Sequence, residues 1–587
     1  PAGDHLMQSP SPPSESAGES TRTTARAAPP AAWWLPGEEA PLPGTEPLRA
    51  AIADLQGPFC VVGNECAGGG VRDSSGAAGR VTPAVARGGS IDLGRCPSGD
   101  AHPLLAYAPA SPPESLGDPE FRRIHGSRLS YVAGSMANGI ASAELVEAMA
   151  RAGMLAFFGA AGLSLPDVER AIDRLQGSLG EIPHGFNLIH SPAEPELEAA
   201  VADLYLRRRV RLVEASAYLD LTLPLARYRV HGIHRHADGS VIAPNRVVAK
   251  VSRVEVARRF LSPPPAVLLD ELVRRGEITA GQAGLAAAIP MAEDITAEAD
   301  SGGHTDNRPA IALLPAIIAL RDRLQARHRY ARRPRVGLAG GISTPAAAAA
   351  AFAMGAAYLL TGSINQACVE AGTSEAVRRL LAEAEQADVA MAPAADMFEM
   401  GVKVQVLKRG TLFPMRAAKL YQLYRAFDGV ASIPAAERRR LEDTIFRAPL
   451  EEIWSRARAF FLERDRSQVA RAEGDEKHRM ALIFRWYLGR SSSWANRGEP
   501  DRSADYQVWC GPSMGAFNEW VRGSFLEGPR HRRVATVARC LMRGAAILTR
   551  VQALRAQGLD PPPEAVEVGP GEHAPDALEA APGPARG

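Results

Sequence analysis

Short apolar segments alternate with amphipathic segments from residue 125 onward, and this alternation constrains the fold more than any other feature of the chain. Eight segments have the length and composition of strands: Leu129–Ala133, Leu155–Gly159, Gly185–Ile189, Arg211–Ser216, Val247–Val251, Asp294–Ala299, Val336–Ala339 and Ala357–Thr361. Predicted helices lie between them: Ala143–Arg151, Pro166–Gln176, Pro195–Arg208, Arg253–Phe260, Ala310–Arg327 and Thr344–Met354. Eight β/α units over roughly 300 residues predict an α/β fold, a TIM (β/α)8 barrel with insertions. An open doubly wound sheet is the alternative, but its glycine fingerprint would normally follow the first strand.

Two insertions interrupt the repeat. Residues 228–246 alternate around Asp238 and Gly239, which is a hairpin-turn signal. Residues 263–289 are predicted to form two helices beside the barrel mouth. The hairpin carries three histidines, His231, His234 and His236. An exposed hairpin is favoured over a metal site, because the segment supplies no cysteine and no clear set of carboxylate partners.

Composition divides the rest of the chain. Residues 1–30 are rich in Pro, Ser and Ala and are predicted to be disordered, as are residues 558–587. Residues 31–124 are predicted to form a small irregular N-terminal subdomain, and the barrel with its insertions takes residues 125–430.

The segments after the eighth strand are rich in large side chains. Residues 391–427 contain many Met and aromatic residues and are predicted either to cover an apolar site like a lid or to pack in the core. Residues 431–557 are predicted to form a helical C-terminal subdomain. Its expected core aromatics include Phe460, Trp486 and Trp509.

Bulk composition excludes several classes of protein. Among 587 residues, 67 Lys and Arg face 66 Asp and Glu, so no excess of positive charge indicates a nucleic-acid binder. The six cysteines show no C-x-x-C pair, which argues against a zinc site and a disulfide framework. A reducing cytoplasm fits this pattern best. No apolar run reaches about 18 residues, and the first residues lack a basic-then-apolar pattern, so we expect neither a membrane span nor export.

Glycines follow the two last predicted strands. Gly340, Gly341 and Ile342 come after the seventh strand, and Thr361, Gly362 and Ser363 surround the end of the eighth. TIM barrels commonly bind phosphate with these two loops, where glycine amides face the anion. The sequence therefore predicts a phosphate-bearing cofactor here.

Other candidate residues belong to the same face of the barrel. The loop after the first strand contains four small or flexible positions, Ser135, Met136, Ala137 and Asn138, which suit contact with a flat ring. Asn187 and Lys250 would place polar groups inside an apolar barrel. A buried Lys needs a charge partner, and the alternative to a cofactor is a salt bridge with Glu214, Asp294 or Glu298. His190 either reaches the site or caps the following helix.

Residues 300–306 carry the candidate acid–base group. Asp300, Gly303 and His304 follow the sixth predicted strand in the run ADSGGHTDN. Paired glycines let the backbone approach a flat ligand, and a histidine titrates near neutral pH. A turn whose histidine only satisfies the backbone is the alternative. The strand count places His304 on the face of the phosphate loops and makes it the candidate catalytic residue, with Asp300 and Gly303 assigned to the cofactor.

Several segments resemble the trans-acting FMN-dependent enoyl reductase family, the PfaD family, of polyunsaturated fatty acid and trans-acyltransferase polyketide synthases, within a wider nitronate monooxygenase-like superfamily. The resemblance covers residues 33–558 and rests on these segments: VAGSMANGIASAELVEAMARAGMLAFFGAAGL, FNLIHSP, NRVVAKVSR, AEDITAEADSGGHTDNRP, GLAGGISTP, LLTGSINQACVEAGTS, KVQVLKRGTLFPMRAAKLYQLYR, FRWYLGRSSSWA and DYQVWCGPSMGAFNEW. It implies an FMN cofactor, NADPH or NADH as hydride donor, and a 2-enoyl thioester on an acyl carrier protein.

The resemblance also implies roles for individual residues. Met136, Ala137, Asn187 and Lys250 would contact the flavin, while Gly340, Gly341, Gly362 and Ser363 would hold its phosphate. His304 would stand beside the substrate, either donating a proton or stabilising the enolate. The chain departs from the superfamily pattern E-x-G-G-H, because Asp300 stands in the acidic position.

Two other functions remain as alternatives. One is a nitronate monooxygenase-like oxidase with the same FMN and with His304 as base; the other is a non-catalytic synthase subunit with a decayed barrel. Three arginine-rich runs, Arg207–Arg211, Arg332–Arg335 and Arg530–Arg533, are candidate contacts for an acidic carrier protein, although a basic run is more often a solvated helix end or loop. A homodimer is left open.

Overall fold

A computed structural model describes residues 32–63, 83–94, 101–192 and 194–571. The predicted disordered residues 1–30 lie outside the described chain, as do residues 572–587 of the predicted tail. Within the described residues the chain forms two compact units. One comprises the described parts of Pro1–Gly44 and Cys60–Tyr107, and the other Thr45–Phe59 with the described part of Ala108–Gly587. The domain boundaries drawn from the sequence stay predictions.

The N-terminal sheet has six strands. They are β1 (Ala32–Leu35), β2 (Leu42–Pro43), β3 (Phe59–Val62), β4 (Ala84–Ala86), β5 (Ser90–Leu93) and β6 (His102–Ala108), in the spatial order β2-β4-β3-β6-β1-β5. Trp34 is fully buried against Cys60, Val62 and Ala86. Its indole Nε1 donates a hydrogen bond to the Gly88 carbonyl oxygen, so the one polar atom of this side chain is satisfied.

The second unit is a closed parallel barrel, which confirms the predicted fold. Its strands are β7 (Tyr131–Ala133), β8 (Leu155–Phe158), β9 (Gly185–Ile189), β10 (Leu212–Ser216), β13 (Arg246–Val251), β14 (Asp294–Glu298), β16 (Arg335–Ala339) and β17 (Leu359–Thr361), and β17 pairs with β7 to close the ring. These strands are buried on both faces, which explains their nearly continuous apolar composition.

Helices follow the strands as the alternation predicts. The helices around the barrel are α3 (Ala143–Arg151), α4 (Leu165–Leu179), α5 (Pro195–Arg207), α6 (Leu223–Val230), α7 (Val254–Phe260), α10 (Ala310–His328), α11 (Pro345–Ala353), α12 (Ser363–Gln366) and α13 (Glu375–Ala382). Two further helices, α1 (Thr45–Ala53) and α2 (Pro119–His125), precede the barrel.

Helix α6 corrects the boundary of the predicted hairpin. Tyr228 belongs to this helix, and the hairpin is confined to β11 (His234–Arg235) and β12 (Val241–Ile242) around Gly239. Thr222 caps the helix by accepting a hydrogen bond from the Leu225 amide, and a proline follows in the first turn. That cap-and-proline signal was present in the sequence. The second insertion forms two helices, α8 (Ala266–Arg274) and α9 (Ala280–Ala286).

The chain after the barrel is mostly helical. Its elements are β18 (Val389–Pro393), β19 (Lys403–Leu407), α14 (Phe413–Ala426), α15 (Ala435–Leu441), α16 (Leu450–Arg464), α17 (Arg466–Gly474), α18 (Glu476–Arg497), α19 (Ser513–Val521) and α20 (Val534–Ala556). Residues 558–571 of the predicted tail belong to the described chain. A short 3-10 turn buries Ala565, and Trp520 donates a hydrogen bond to the Val568 carbonyl oxygen. None of the described helices combines the length and the apolar character that a membrane crossing requires.

A buried ion cluster lies at the amino ends of two barrel strands. The Asp294 carboxylate accepts hydrogen bonds from Arg335 Nε at 2.6 Å and from Arg335 Nη2 at 2.9 Å, and His125 Nε2 lies 2.8 Å from its Oδ2. All three side chains are almost wholly buried. Burial would raise the pKa of Asp294, but the charges of Arg335 and His125 outweigh it and lower that pKa. The cluster therefore joins α2, β14 and β16 at the face opposite the carboxyl ends of the strands.

Candidate active site

A cavity of about 1020 Å³ opens at the carboxyl ends of the barrel strands. In TIM barrels this end is where ligand sites form. Every residue predicted for the site lines the cavity except Asp300. These lining residues are Ser135, Met136, Ala137, Asn138, Asn187, Lys250, Gly303, His304, Gly340, Gly341, Ile342, Thr361, Gly362 and Ser363.

The loops after β16 and β17 form a cradle of free amides. Within the described chain, the backbone amides of Gly340, Gly341, Gly362 and Ser363 have no hydrogen-bond acceptor. Gly340 lies so close to the neighbouring loop that an added Cβ would stand 2.6 Å from the Ala299 carbonyl carbon. A Cβ added to Gly341 or Gly362 would instead meet no protein atom within 4 Å. The cradle presents several donors to open space, which is what an anion requires.

Glu214 anchors the loop after β7. The Ser135 amide donates to Glu214 Oε2 at 3.1 Å, and the Ser135 hydroxyl donates to the same oxygen. Burial raises the pKa of Glu214, while Lys250 and Ser135 oppose that rise. The other carboxylate oxygen, Oε1, is buried and has no hydrogen-bond partner among the described residues. Asn138, from the same loop, donates to the Ser492 hydroxyl of α18 at 2.8 Å.

Lys250 forms the salt bridge that the sequence left as an alternative. Its Nζ lies 3.4 Å from Glu298 Oε1 and 4.0 Å from Glu214 Oε2. Burial would lower the pKa of Lys250, but the two carboxylates outweigh it and raise that pKa. The ammonium group is therefore held as a cation at the cavity wall. Asn187 donates from Nδ2 to the Glu214 carbonyl oxygen and to the Ser216 hydroxyl.

His304 is fixed by a small antiparallel sheet. It belongs to β15 (Gly303–His304), which pairs with β19, and β19 pairs with β18. His304 Nε2 lies 3.2 Å from Asp396 Oδ1, on the loop between β18 and β19. Burial would lower the pKa of His304, but the Asp396 charge raises it above its ordinary value. The pair therefore favours the protonated imidazole.

Sequence reasoning missed Asp396. It lines the cavity beside His304, and its pKa is lowered mainly by the charge of His304, against the effect of burial. No sequence spacing connects the two residues, because 92 positions separate them. The predicted lid segment supplies both the sheet and this carboxylate.

The late segment around Trp509 packs against the glycine turn. A Cβ added to Gly302 would stand 2.8 Å from the Cys510 amide nitrogen, so only glycine allows this approach. The Gly511 amide donates to the Ser363 hydroxyl at 3.2 Å. Trp509 lines the cavity. The C-terminal region thus forms part of the site wall, and Trp509 is not a core residue as predicted.

Three predicted residues lie outside the cavity lining or bind elsewhere. Asp300 accepts hydrogen bonds from Asn307 Nδ2 and Gln405 Nε2, both at 2.8 Å, and it does not line the cavity, so its assignment to the cofactor stays a prediction without support from this contact set. These two amides turn its carboxylate to the β19 side of the turn. His190 Nδ1 lies 3.0 Å from Glu198 Oε2 of helix α5, so it contacts that helix without capping it and does not line the cavity. His234 Nδ1 hydrogen-bonds the Gly232 carbonyl oxygen.

Helices α16 and α18 contribute cavity residues that the sequence assigned to a core or did not single out. Phe460, Arg456, Trp486, Arg490 and Arg497 all line the cavity. Phe460 is 49% exposed, so its assignment to the core is wrong. A spacing of four and seven residues along α18 places Trp486, Arg490 and Arg497 on one helix face, and that periodicity was the available signal.

The three arginine-rich runs are only partly occupied by contacts within the chain. Arg208 pairs with Glu169 and Asp173. Arg335 is buried with Asp294, and buried Arg532 donates to the Leu526 carbonyl oxygen. Arg207, Arg332 and Arg533 are exposed, so contact with a carrier protein through these runs stays a prediction.

The fold and the site define a class: a (β/α)8-barrel protein whose ligand cavity combines an amide cradle, a partly buried Lys–Glu pair and a His–Asp pair. Comparison with known proteins then gives the family. The chain is 40% identical to the enoyl reductase domain of MlnA from the macrolactin biosynthesis cluster of Bacillus amyloliquefaciens. The alignment covers 76% of this chain and 98% of that domain, with a TM-score of 0.71. The chain belongs to the PfaD-like family of enoyl reductases of polyketide and polyunsaturated fatty acid synthases.

Two curated relatives are longer than this chain. It is 48% identical to a polyunsaturated fatty acid synthase component of Thraustochytrium, over 75% of this chain and 30% of that protein. It is 48% identical to the polyketide biosynthesis protein PksE of Bacillus subtilis, over 74% of this chain and 56% of that protein. Residues 427–506 match a family model described as the inserted helical domain of acyl-carrier-protein S-malonyltransferase. The chain therefore spans only about a third to a half of these relatives.

Proposed function

We propose that the chain is a trans-acting enoyl reductase that uses FMN and NAD(P)H to reduce the α,β double bond of 2-enoyl thioesters on an acyl carrier protein. The observation that carries the proposal is the cavity itself. His304, paired with Asp396, and an unpaired amide cradle line the same cavity, in a chain 40% identical to an enoyl reductase domain. Polyketide or polyunsaturated fatty acid biosynthesis is the proposed context, after the relatives' names.

The residues present fit an FMN cofactor. The unpaired amides of Gly340, Gly341, Gly362 and Ser363 would hold its phosphate. The loop of Met136 and Ala137, together with Asn187 and Lys250, would contact its ring system. When bound, FMN supplies the chemistry of hydride transfer between NAD(P)H and the substrate.

The cavity residues would then stabilise the developing negative charge and supply a proton. Reduction of an enoyl thioester adds hydride at Cβ and develops negative charge on the thioester oxygen, so a positioned donor lowers the barrier. His304, kept protonated by Asp396, would donate a hydrogen bond to that oxygen or a proton to Cα. Asp396 orients the imidazole through its Oδ1 contact. Lys250, held by Glu298, keeps positive charge at the cavity wall.

The carrier protein is the proposed partner, because the relatives are parts of synthases that build chains stepwise. A direct experiment separates this function from the oxidase alternative. The flavin-loaded protein is supplied with NADPH and a crotonyl thioester on a carrier protein, and in a second cell with an alkyl nitronate and oxygen. NADPH consumption that depends on the crotonyl thioester supports the reductase. Oxygen consumption with the nitronate, without thioester reduction, would replace it with the oxidase.

A further inference from the structure

One face of α18 forms part of the cavity wall. Trp486, Gly489, Arg490, Ser493 and Arg497 all line the cavity, and they recur at helical spacing. Helix α16 adds Arg456, whose guanidinium lies 6.0 Å from the centre of the Trp486 ring. We refer to Arg490, Arg456 and Arg497 as the Arg490 cluster.

Arg490 is the member of the cluster without a partner. Its Nε is buried and has no hydrogen-bond acceptor in the part of the chain that the structure describes, and no carboxylate there lies within ion-pair distance. Burial is the main cause that lowers the pKa of Arg490, and the positive charges of Arg497 and Arg456 lower it further. Arg490 as a whole is only partly buried and lines the cavity, so its charge is accessible to a ligand there.

The other two arginines have carboxylate partners. Arg456 pairs with Glu452 one turn earlier in α16. Arg497 lies 3.9 Å from Glu499. The negative charge of Glu499 also raises the pKa of Arg490, against the positive charges of Arg497 and Arg456. The positive charge left over is therefore concentrated on Arg490, at the cavity wall. A guanidinium group in this setting suits a phosphate oxygen pair.

Gly489 gives a ligand room to pass over the same helix. Glycine inside a helix costs about 0.5–1 kcal/mol relative to alanine. Packing does not require it here, because an added Cβ would meet no other protein atom within 4 Å. The missing side chain instead widens the cavity directly beside Arg490 and one turn after Trp486.

We propose that the Arg490 cluster binds the phosphate of a phosphate ester that enters this cavity as a ligand separate from the one in the amide cradle. The choice of ligand rests on the proposed function, which supplies two sources of such a group. One is the phosphopantetheine arm that carries an acyl thioester, and the other is the pyridine dinucleotide. Arg490 contacts the phosphate, Arg456 and Arg497 raise the local potential, and the arm or dinucleotide lies over Gly489.

Calorimetric titration of the flavin-loaded full chain tests the site without turnover. The probes are 4′-phosphopantetheine, pantetheine without phosphate, and NADP⁺. Arg490→Gln should weaken the binding of one phosphate-bearing probe by about 10- to 100-fold, the loss of one charge-assisted hydrogen-bonding partner, and leave pantetheine unchanged. The probe that weakens identifies the source. If Arg490→Gln changes neither phosphate-bearing probe, the proposal is wrong.

A matched control and a second variant keep the test specific. Arg479→Gln removes an arginine of the same helix that pairs with Glu451 outside the cavity lining, and it should leave all three affinities unchanged. Gly489→Leu should weaken the ligand that Arg490 binds, with or without its phosphate, because the new side chain fills the space beside the cluster. Unchanged affinity in Gly489→Leu would contradict the placement of the ligand over this turn.

The binding result also stands apart from the activity. A protein that binds a phosphate ester through Arg490 but reduces no enoyl thioester would refute the proposed function and keep this site. An active reductase whose affinities for the phosphate-bearing probes do not depend on Arg490 would support the proposed function and refute this site.

Discussion

Gly341 offers a sharp test of the amide cradle, because the chain contains a matched glycine outside the cavity. Gly341 and Gly276 both have a left-handed backbone, with φ of 77° and 71°. A Cβ added to either would meet no atom within 4 Å. Each change to alanine should therefore cost only the strain of a left-handed residue, about 1–2 kcal/mol. Gly341 lines the cavity, whereas Gly276 lies just after α8 in the helical insertion.

The two variants should lose similar stability and differ in cofactor affinity. The Gly341→Ala methyl group would occupy the open space in front of the cradle and separate a phosphate oxygen from at least one amide. Loss of one hydrogen bond to a charged group costs about 1.5–3 kcal/mol, or roughly 10- to 150-fold in Kd. Gly276→Ala should leave the Kd unchanged.

Equilibrium dialysis of FMN against the apoprotein measures the affinity, and urea unfolding followed by tryptophan fluorescence measures the stability. Equal FMN affinities in Gly341→Ala and Gly276→Ala would refute the role of the cradle. A large stability loss in Gly341→Ala alone would refute the statement that its Cβ position is open.

Two further predictions concern charged groups. Asp396→Asn removes the charge that raises the pKa of His304, so that pKa should fall. Because the protonated imidazole is lost as pH rises through its pKa, the alkaline limb of the kcat profile should move to lower pH in this variant. His304→Gln should lower kcat by about 10²–10⁴-fold. An unshifted limb in Asp396→Asn would contradict the pairing. Asp294→Asn leaves Arg335 and His125 buried without their carboxylate and should cost about 3–5 kcal/mol in the free energy of unfolding at pH 7. The pKa of Asp294 is lower in the folded than in the unfolded state, so its contribution is present at neutral pH and is lost as pH falls through the unfolded pKa towards the folded one. The difference between the urea midpoints of wild type and variant should therefore be smaller at pH 3 than at pH 7, and an unchanged difference would contradict the assignment.

The barrel was predictable because its strands are buried on both faces and its helices have local amphipathic patterns. Each of the eight predicted strands overlaps a barrel strand, and no end differs by more than two residues. Helix α6 was not predicted, because the alternating pattern around Gly239 placed the start of the hairpin at residue 228. The cap at Thr222 is the local sequence signal for the start of this helix.

The candidate site was only partly predictable, for a different physical reason. Loops that follow successive parallel strands meet at one face, so the positions of Gly340, Gly362 and Lys250 follow from the strand count. Asp396 reaches His304 through antiparallel pairing between segments about a hundred residues apart, and no local pattern encodes that pairing. The same sheet brings Gln405 to Asp300 and turns that carboxylate away from the cavity lining.

The α18 face shows how local patterns mislead at a site. Trp486 and its neighbours have the spacing of a buried helix face, and the sequence assigned the aromatic residues to a core. Arg490 on the same face belongs to no core unless a partner neutralises it. Arginines and aromatic residues that share one helix face indicate the wall of a ligand cavity as readily as a protein core.

Anaerobic stopped-flow spectroscopy tests the central claim most directly. The flavin-loaded protein is first mixed with NADPH, and the visible flavin absorbance should fall as the cofactor is reduced. Addition of a 2-enoyl thioester on a carrier protein should then restore the absorbance without oxygen, with formation of the saturated thioester. Recovery only after oxygen is admitted would contradict the enoyl reductase function.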